Sequence, residues 1–301
     1  MSAVTTMALG PRRTHLIGVL CALTLIIMYS GFTLISRLGF TTSLRPADIA
    51  ALRFGIAGAC LAPVLYRYGL AGVRWRDAAL LALSGGMGFA MLAYTGLSLA
   101  PASHGTSLMH GTLPLFTFAL SWWITSEPVT RRRRIGLTGI LVGIGLMAWD
   151  SVATSTPSQL LGDLALLSAS ASWSAYGLLA RRVGLAPLHA TSIVAVFSMV
   201  CYLPLYALFS DHAVIRAPLN ELLLQGVFQG VVIGVVSVSV FLRAVAALGA
   251  VETALFSAAV PGVTTIGAIF LLGEVPSAMA VAGVIIVTTG TIVSLTGQTA
   301  S

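Results

Sequence analysis

Residues 112–147 read TLPLFTFALSWWITSEPVTRRRRIGLTGILVGIGLM, and residues 259–294 read AVPGVTTIGAIFLLGEVPSAMAVAGVIIVTTGTIVS. In the first stretch Glu127 follows Pro114 by 13 residues, Gly136 comes nine later and Gly143 seven after that. Pro261, Glu274, Gly283 and Gly290 repeat the spacing without a gap, at an offset of 147. Upstream, Tyr29, Ser30 and Arg37 pair with Trp173, Ser174 and Arg181 at an offset of 144, and Cys60 and Pro63 pair with Cys201 and Pro204 at 141. The order is kept and the offsets drift by a few residues, as in a duplicated chain that has since taken small insertions. The reading is two homologous halves, 1–150 and 151–301, forming together one membrane domain.

Composition places those halves in a bilayer. Hydrophobic residues make up 57% of the 301 and charged residues only 8%, with a mean hydropathy of +0.97, which leaves too little polar surface to cover a soluble globule. A hydrocarbon core of roughly 30 Å needs about 20 mainly apolar residues per helix. Such runs are expected at 16–35, 47–66, 77–99, 103–125 and 134–150, then at 160–180, 188–209, 219–243, 250–272 and 278–296. The fold class is therefore an all-α polytopic membrane protein with ten transmembrane helices, five per half. A membrane barrel would instead show strands of about ten alternating residues, which the unbroken run Leu222 to Phe241 contradicts. The first apolar run is longer than the core of a cleaved signal peptide and is read as a retained helix.

Five is an odd number, so the second half enters from the opposite side and the two repeats have inverted topology, an arrangement secondary transporters use for alternating access. Arginine distribution orients the chain. With the amino terminus inside, Arg12, Arg13, Arg67, Arg74, Arg76, Arg131 to Arg134, Arg181 and Arg182 all face the cytoplasm, against Arg37, Arg45 and Arg216 outside. Both termini are expected in the cytoplasm. Arg53 and Arg243 fall within spans and are expected to snorkel toward the ends.

Other classes find little support. The dense basic run Arg131 to Arg134 sits in a short loop between apolar spans, where anionic lipid headgroups and topology account for it better than nucleic acid does. Cys21, Cys60 and Cys201 lie in spans without metal-ligand spacing. There is no H-E-x-x-H, no G-x-S-x-G and no phosphate-binding G-x-x-x-x-G-K-[ST], so no catalytic residue, metal or cofactor is assigned. A channel or facilitator and a polytopic membrane enzyme stand as the alternatives to a carrier.

The aromatic-Ser pair in the first helix of each half, the proline, the helix-end glutamate and the glycines of the fifth helix together resemble the EamA module of the drug/metabolite transporter superfamily. The stretch LLSASASWSAYGLLARRV and the Pro114–Gly143 and Pro261–Gly290 pair carry the resemblance, which extends over nearly the whole chain. It implies ten helices in two inverted repeats and export of amino acids and other small metabolites across the bacterial inner membrane. One departure is that the tryptophan usual in the first helix is Tyr29 here, while Trp173 keeps it in the second half. The first helix also has no carboxylate, unlike the small multidrug antiporters, whose coupling depends on one.

Candidate cavity residues follow from chemistry at the bilayer midplane. Pro114 and Pro261 each withhold a donor from the carbonyl four residues earlier, that of His110 and Ser257 respectively, and open backbone at that depth needs protein or a water-filled cavity around it. The two kinks either pack or frame a central cavity. His110 is an intramembrane ionisable group expected to face the interior, acting as a hydrogen-bonding group rather than a proton carrier. Tyr29, Tyr94, Trp173 and Tyr176 are read as cavity walls or core packing, and Gln229 as a polar cavity group. Gly226, Gly230 and Gly234, at four-residue spacing, form a ridge for close helix approach, and the glycines of the fifth and tenth helices are further packing surfaces. The implied partners are a small-molecule substrate and membrane lipids.

Overall fold

The computed structural model describes residues 11–100, 105–125, 129–152, 156–272 and 277–296, and among them all regular structure is helical. Ten rods follow one another. α1 is Pro11–Phe40 and α2 is Pro46–Tyr68; α3 joins Trp75–Gly85 to Met87–Leu99, and α4 joins a π-helical turn, Ser107–Gly111, to Leu113–Thr125. α5 is Arg131–Val152, α6 is Pro157–Val183 and α7 is Pro187–Phe209. α8 runs through Leu219–Gln225, a π-helical stretch Gly226–Ser237 and Val238–Leu248; α9 joins Ala250–Ser257 to Val260–Leu272; and α10 is Ala278–Thr296. Six rods, α1, α2, α3, α7, α8 and α9, are long and apolar enough to cross a membrane. The residues Glu127 and Glu274, singled out above, lie outside the described residues.

Local chemistry sets the ends. Proline occupies the first turn of α2, α6 and α7, where its missing N–H would be unpaired in any case. Thr156 caps α6, accepting from the Gln159 backbone N–H, and Gly184 ends that helix with φ +68°.

Packing relates the two halves. α2 lies on α7, α5 on α10 and α4 on α9; α1 lies on α8 and α9, and α6 on α3 and α4. Replacing each rod by the one five places along leaves α2–α7, α5–α10 and α4–α9 as they are and turns the pairs of α1 into those of α6, which is the pattern of a twofold axis between the repeats. The glycine surfaces serve the α5–α10 pair and a further contact, α8 on α2. A Cβ on Gly230 would come within 2.6 Å of the Ile56 Cβ and one on Gly234 within 2.7 Å of the Ala57 Cβ, so the α8 ridge seats α2. A Cβ on Gly136 would meet the Gly290 carbonyl at 2.5 Å, and one on Gly143 the Gly283 carbonyl at 2.7 Å. Here α5 and α10 touch backbone to backbone.

The helix breaks are symmetric as well. α4 changes course just before Pro114 and α9 just before Pro261. The Ser174 hydroxyl of α6 donates to the Leu113 carbonyl at 3.3 Å, and the Ser30 hydroxyl of α1 lies 3.4 Å from the Val260 carbonyl. Each repeat's first-helix serine thus reaches the carbonyl preceding the other repeat's proline. The carbonyls served are Leu113 and Val260, one residue before each proline, and not those of His110 and Ser257.

Candidate functional site

At the centre, α1, α2, α3, α4, α6 and α8 enclose a cavity of about 10 Å³ bounded by Tyr29, Phe32, Arg53, Phe89, His110 and Trp173, among others. The Tyr29 ring stacks on His110 at 4.8 Å and 11° between planes, and meets Trp173 edge-on at 6.3 Å. Trp173 continues the cluster to Phe89 at 4.6 Å, Tyr176 at 5.0 Å and Phe241 at 4.9 Å. Rings at these separations attract through their edges and faces. They bring Tyr29, His110, Trp173 and Tyr176 together in one cluster.

The polar atoms of this cluster are unusual. The Tyr29 hydroxyl, His110 Nε2, Trp173 Nε1, Tyr176 hydroxyl and Arg53 Nη1 are all buried and have no hydrogen-bond partner. Most buried polar groups in folded proteins are paired, and leaving one unpaired costs about 1–3 kcal/mol, more for a charge.

Arg53 corrects the sequence reading. Rather than snorkelling, its side chain is 3% exposed and turns inward, with its guanidinium 5.5 Å from the Phe32 centroid and 5.9 Å from that of Phe89. The reason is its place on the helix. Arg53 is the eighth residue of α2, roughly 10 Å from its start, and it faces the bundle. Arg243 is exposed beside a groove near the end of α8, as snorkelling requires, and no ion pair joins it to Glu252 among the described residues. The signal for Arg53 was present in the sequence, since an ionisable residue well inside an apolar span marks a functional interior by default.

Tyr94 and Gln229 lie next to the cavity, toward one end. The Tyr94 hydroxyl donates to Gln229 Oε1 at 3.0 Å; Gln229 Nε2 donates to the Ser36 hydroxyl at 2.9 Å; and Gln225 Nε2 donates to the Ile35 carbonyl at 2.8 Å. Farther along the same end, Arg37 Nη1 donates to the carbonyls of Leu97 and Ala100 at 3.1 and 3.0 Å. The Ser43 hydroxyl donates to Glu221 at 2.6 Å, and Arg45 pairs with Asp211. These bonds knit α1, α2, α3, α7 and α8 into a plug. Ser257 is buried at the break in α9 and does not line the cavity.

The opposite end carries Arg133, Arg181 and Arg182 and is open. A vestibule of about 770 Å³ runs between α4, α5, α6 and the α8–α9 turn, and its α6 wall begins at Ala175, two residues beyond Trp173. A second opening of about 530 Å³ lies at this end between α1, α7 and α8. The centre is therefore closed by side-chain bonds on one side, and on the other an open vestibule of mixed polar and apolar lining lies beyond it, sharing no lining residue with the cavity. No group of three or more metal-ligating side chains occurs among the described residues.

Two comparisons with known proteins bear on the family and the fold. The model of the EamA-like transporter family matches the sequence twice, over residues 16–149 and 160–296. Among 28 matching chains of solved structures, one described only as the crystal structure of a protein superposes with a TM-score of 0.71 at 19% identity, covering 95% of this chain and 99% of its own. At that identity the likeness concerns the fold. No curated protein sequence matches.

Proposed function

Because the chain belongs to the EamA-like transporter family, we propose that it is a secondary carrier exporting amino acids or related small metabolites across the bacterial inner membrane. In this reading all ten rods cross the bilayer as two inverted repeats, 1–150 and 151–301, with both termini in the cytoplasm. The exchange symmetry of the helix contacts supports the inverted repeats, and the gathering of Arg133, Arg181 and Arg182 at one end supports the orientation.

One observation carries the mechanism: a plug at one end and a vestibule at the other, with an aromatic cavity between them. A channel needs a path open to both sides, whereas a carrier exposes its site to one side at a time. The arrangement fits a cytoplasm-facing state. Tyr29, His110, Trp173 and Tyr176 form the substrate site, Tyr94 and Gln229 belong to the outer gate, and the breaks at Pro114 and Pro261 let the gating helices bend around Ser257 and its counterpart.

The test is counterflow in proteoliposomes preloaded with members of an amino-acid and metabolite panel. A carrier gives transient uphill uptake of labelled substrate that saturates with concentration. Linear, non-saturating flux without counterflow refutes it in favour of a channel. Trp173→Ala should lose most of the flux at matched membrane abundance, and Trp173→Phe, which keeps the ring and removes the unpartnered N–H, should separate contact with substrate from packing.

A further inference from the structure

We propose that Arg53 is the anion-binding residue of the central site, and that the site takes a small organic carboxylate whose remainder is apolar or aromatic. The inference rests on the carrier reading above and deepens it.

The starting point is a cation in the wrong place. Arg53 is buried at the cavity wall, and a guanidinium cannot shed its charge to suit an apolar interior. Burial of a charge is tolerated when it is paired, yet the two ion pairs among the described residues are Arg45–Asp211 and Arg74–Asp77. Asp48, five residues before Arg53 on α2, is committed elsewhere, accepting from the Tyr206 hydroxyl and the backbone N–H groups of Arg45 and Val214. The faces of Phe32 and Phe89 offset part of the lost hydration, and Nη1 is left without a partner. A charge that no carboxylate among the described residues neutralises is available to a ligand.

The neighbours define that ligand. Trp173 Nε1 can only donate, as can the guanidinium, and both border the cavity with unpartnered atoms. The Tyr29 hydroxyl and His110 Nε2 can complete the shell of an acceptor. No carboxylate is among the cavity's lining residues, so nothing there matches an ammonium group by charge. The planar fork of arginine suits a carboxylate in two parallel hydrogen bonds, and the packed rings of Phe89 and Trp173, 4.6 Å apart, present an apolar surface beside it. With about 10 Å³ of free space, the site is collapsed around its own side chains. Entry of the carboxylate parts the Tyr29–His110 stack, and the anion replaces the missing partners of Arg53 and Trp173.

The experiment uses the full chain in lipid nanodiscs, titrated calorimetrically at pH 7 with 3-phenylpropanoate, its neutral amide and 2-phenylethylammonium. The carboxylate should bind at least tenfold more tightly than the amide, and the ammonium most weakly. Arg53→Gln should remove the preference by weakening the carboxylate alone, and Arg53→Lys should keep part of it. Failure of the carboxylate to bind, equal binding of carboxylate and amide to the wild type, or a preference that survives Arg53→Gln overturns the assignment. The wild-type comparison decides even if Arg53→Gln does not fold. Counterflow of the same probes keeps the two readings apart. If the amide exchanges as fast as the carboxylate, the carrier stands and the anion site falls. If the carboxylate is preferred in binding and no probe shows counterflow, the anion site stands and the carrier falls.

Discussion

At the residue scale, the site is a set of polar atoms held ready without partners. Four of them, on Tyr29, Arg53, His110 and Trp173, share one cavity wall, and a protein with no use for them would be more stable with apolar groups of the same shape. His110 illustrates what the surroundings allow. It stacks on Tyr29, and no carboxylate lines its cavity to pair with an imidazolium, so we propose that it offers substrate a hydrogen bond rather than a proton. His110→Gln should therefore retain substantial flux in proteoliposomes, and collapsing an imposed pH gradient should leave the wild-type rate nearly unchanged. Uphill accumulation driven by a pH gradient and abolished by His110→Gln would make it a proton carrier instead. Much of this wall was legible in the sequence. Tyr29 and Trp173 occupy equivalent repeat positions, and His110 precedes a midplane proline by one turn. For Arg53 the depth inside an apolar span was legible, but its inward turn was not, because hydropathy gives a residue's depth along a helix and not the face its side chain takes. Tyr94 and Gln229, read from the sequence as cavity groups, bond to each other beside the cavity, and that pairing depends on which end of the molecule is closed, a property of the conformation.

At the element scale, glycine decides how closely helices approach and proline where they bend. Both were readable from the 147-residue repeat, whereas the serine contacts across the repeats were not, since only the folded pairing brings Ser174 to Leu113 and Ser30 to Val260. The α5–α10 contact supplies a matched test. Gly143 and Gly145 lie on the same helix, but a Cβ on Gly143 would strike the Gly283 carbonyl and come within 2.9 Å of the Val287 backbone nitrogen, while one on Gly145 would meet nothing within 4 Å. Backbone cannot rotate aside as a side chain can, so Gly143→Ala must push the helices apart, at about 1–3 kcal/mol for overpacking. The melting midpoint of purified protein, followed by tryptophan fluorescence, should fall for Gly143→Ala and hold or rise for Gly145→Ala, where alanine is the better helix former. Equal midpoints would mean that α5 and α10 are not in backbone contact.

At the scale of the whole molecule, the twofold exchange of helix contacts makes one end the structural counterpart of the other, so the plug and the vestibule are two states of a related seam. Orientation is tested by alkaline phosphatase fusions, which are active only outside the cytoplasm. They should be active at His212, between α7 and α8, and silent at Gly184, between α6 and α7; the reverse pattern would invert the arginine assignment. The central claim is that closing one end opens the other, and paired distance measurements address it without knowledge of the substrate. Cys21, Cys60 and Cys201 are first replaced by alanine. Spin labels are then placed through Thr41→Cys and Asn220→Cys across the plugged end, or through Ile124→Cys and Val251→Cys across the vestibule, and distances are read by double electron–electron resonance with and without Gln229→Leu. That substitution removes the acceptor of Tyr94 and the donor to Ser36. Alternating access predicts that it adds a longer distance at the outer pair and a shorter one at the vestibule pair, in equal proportion. Widening at the outer pair with no change at the vestibule would contradict it.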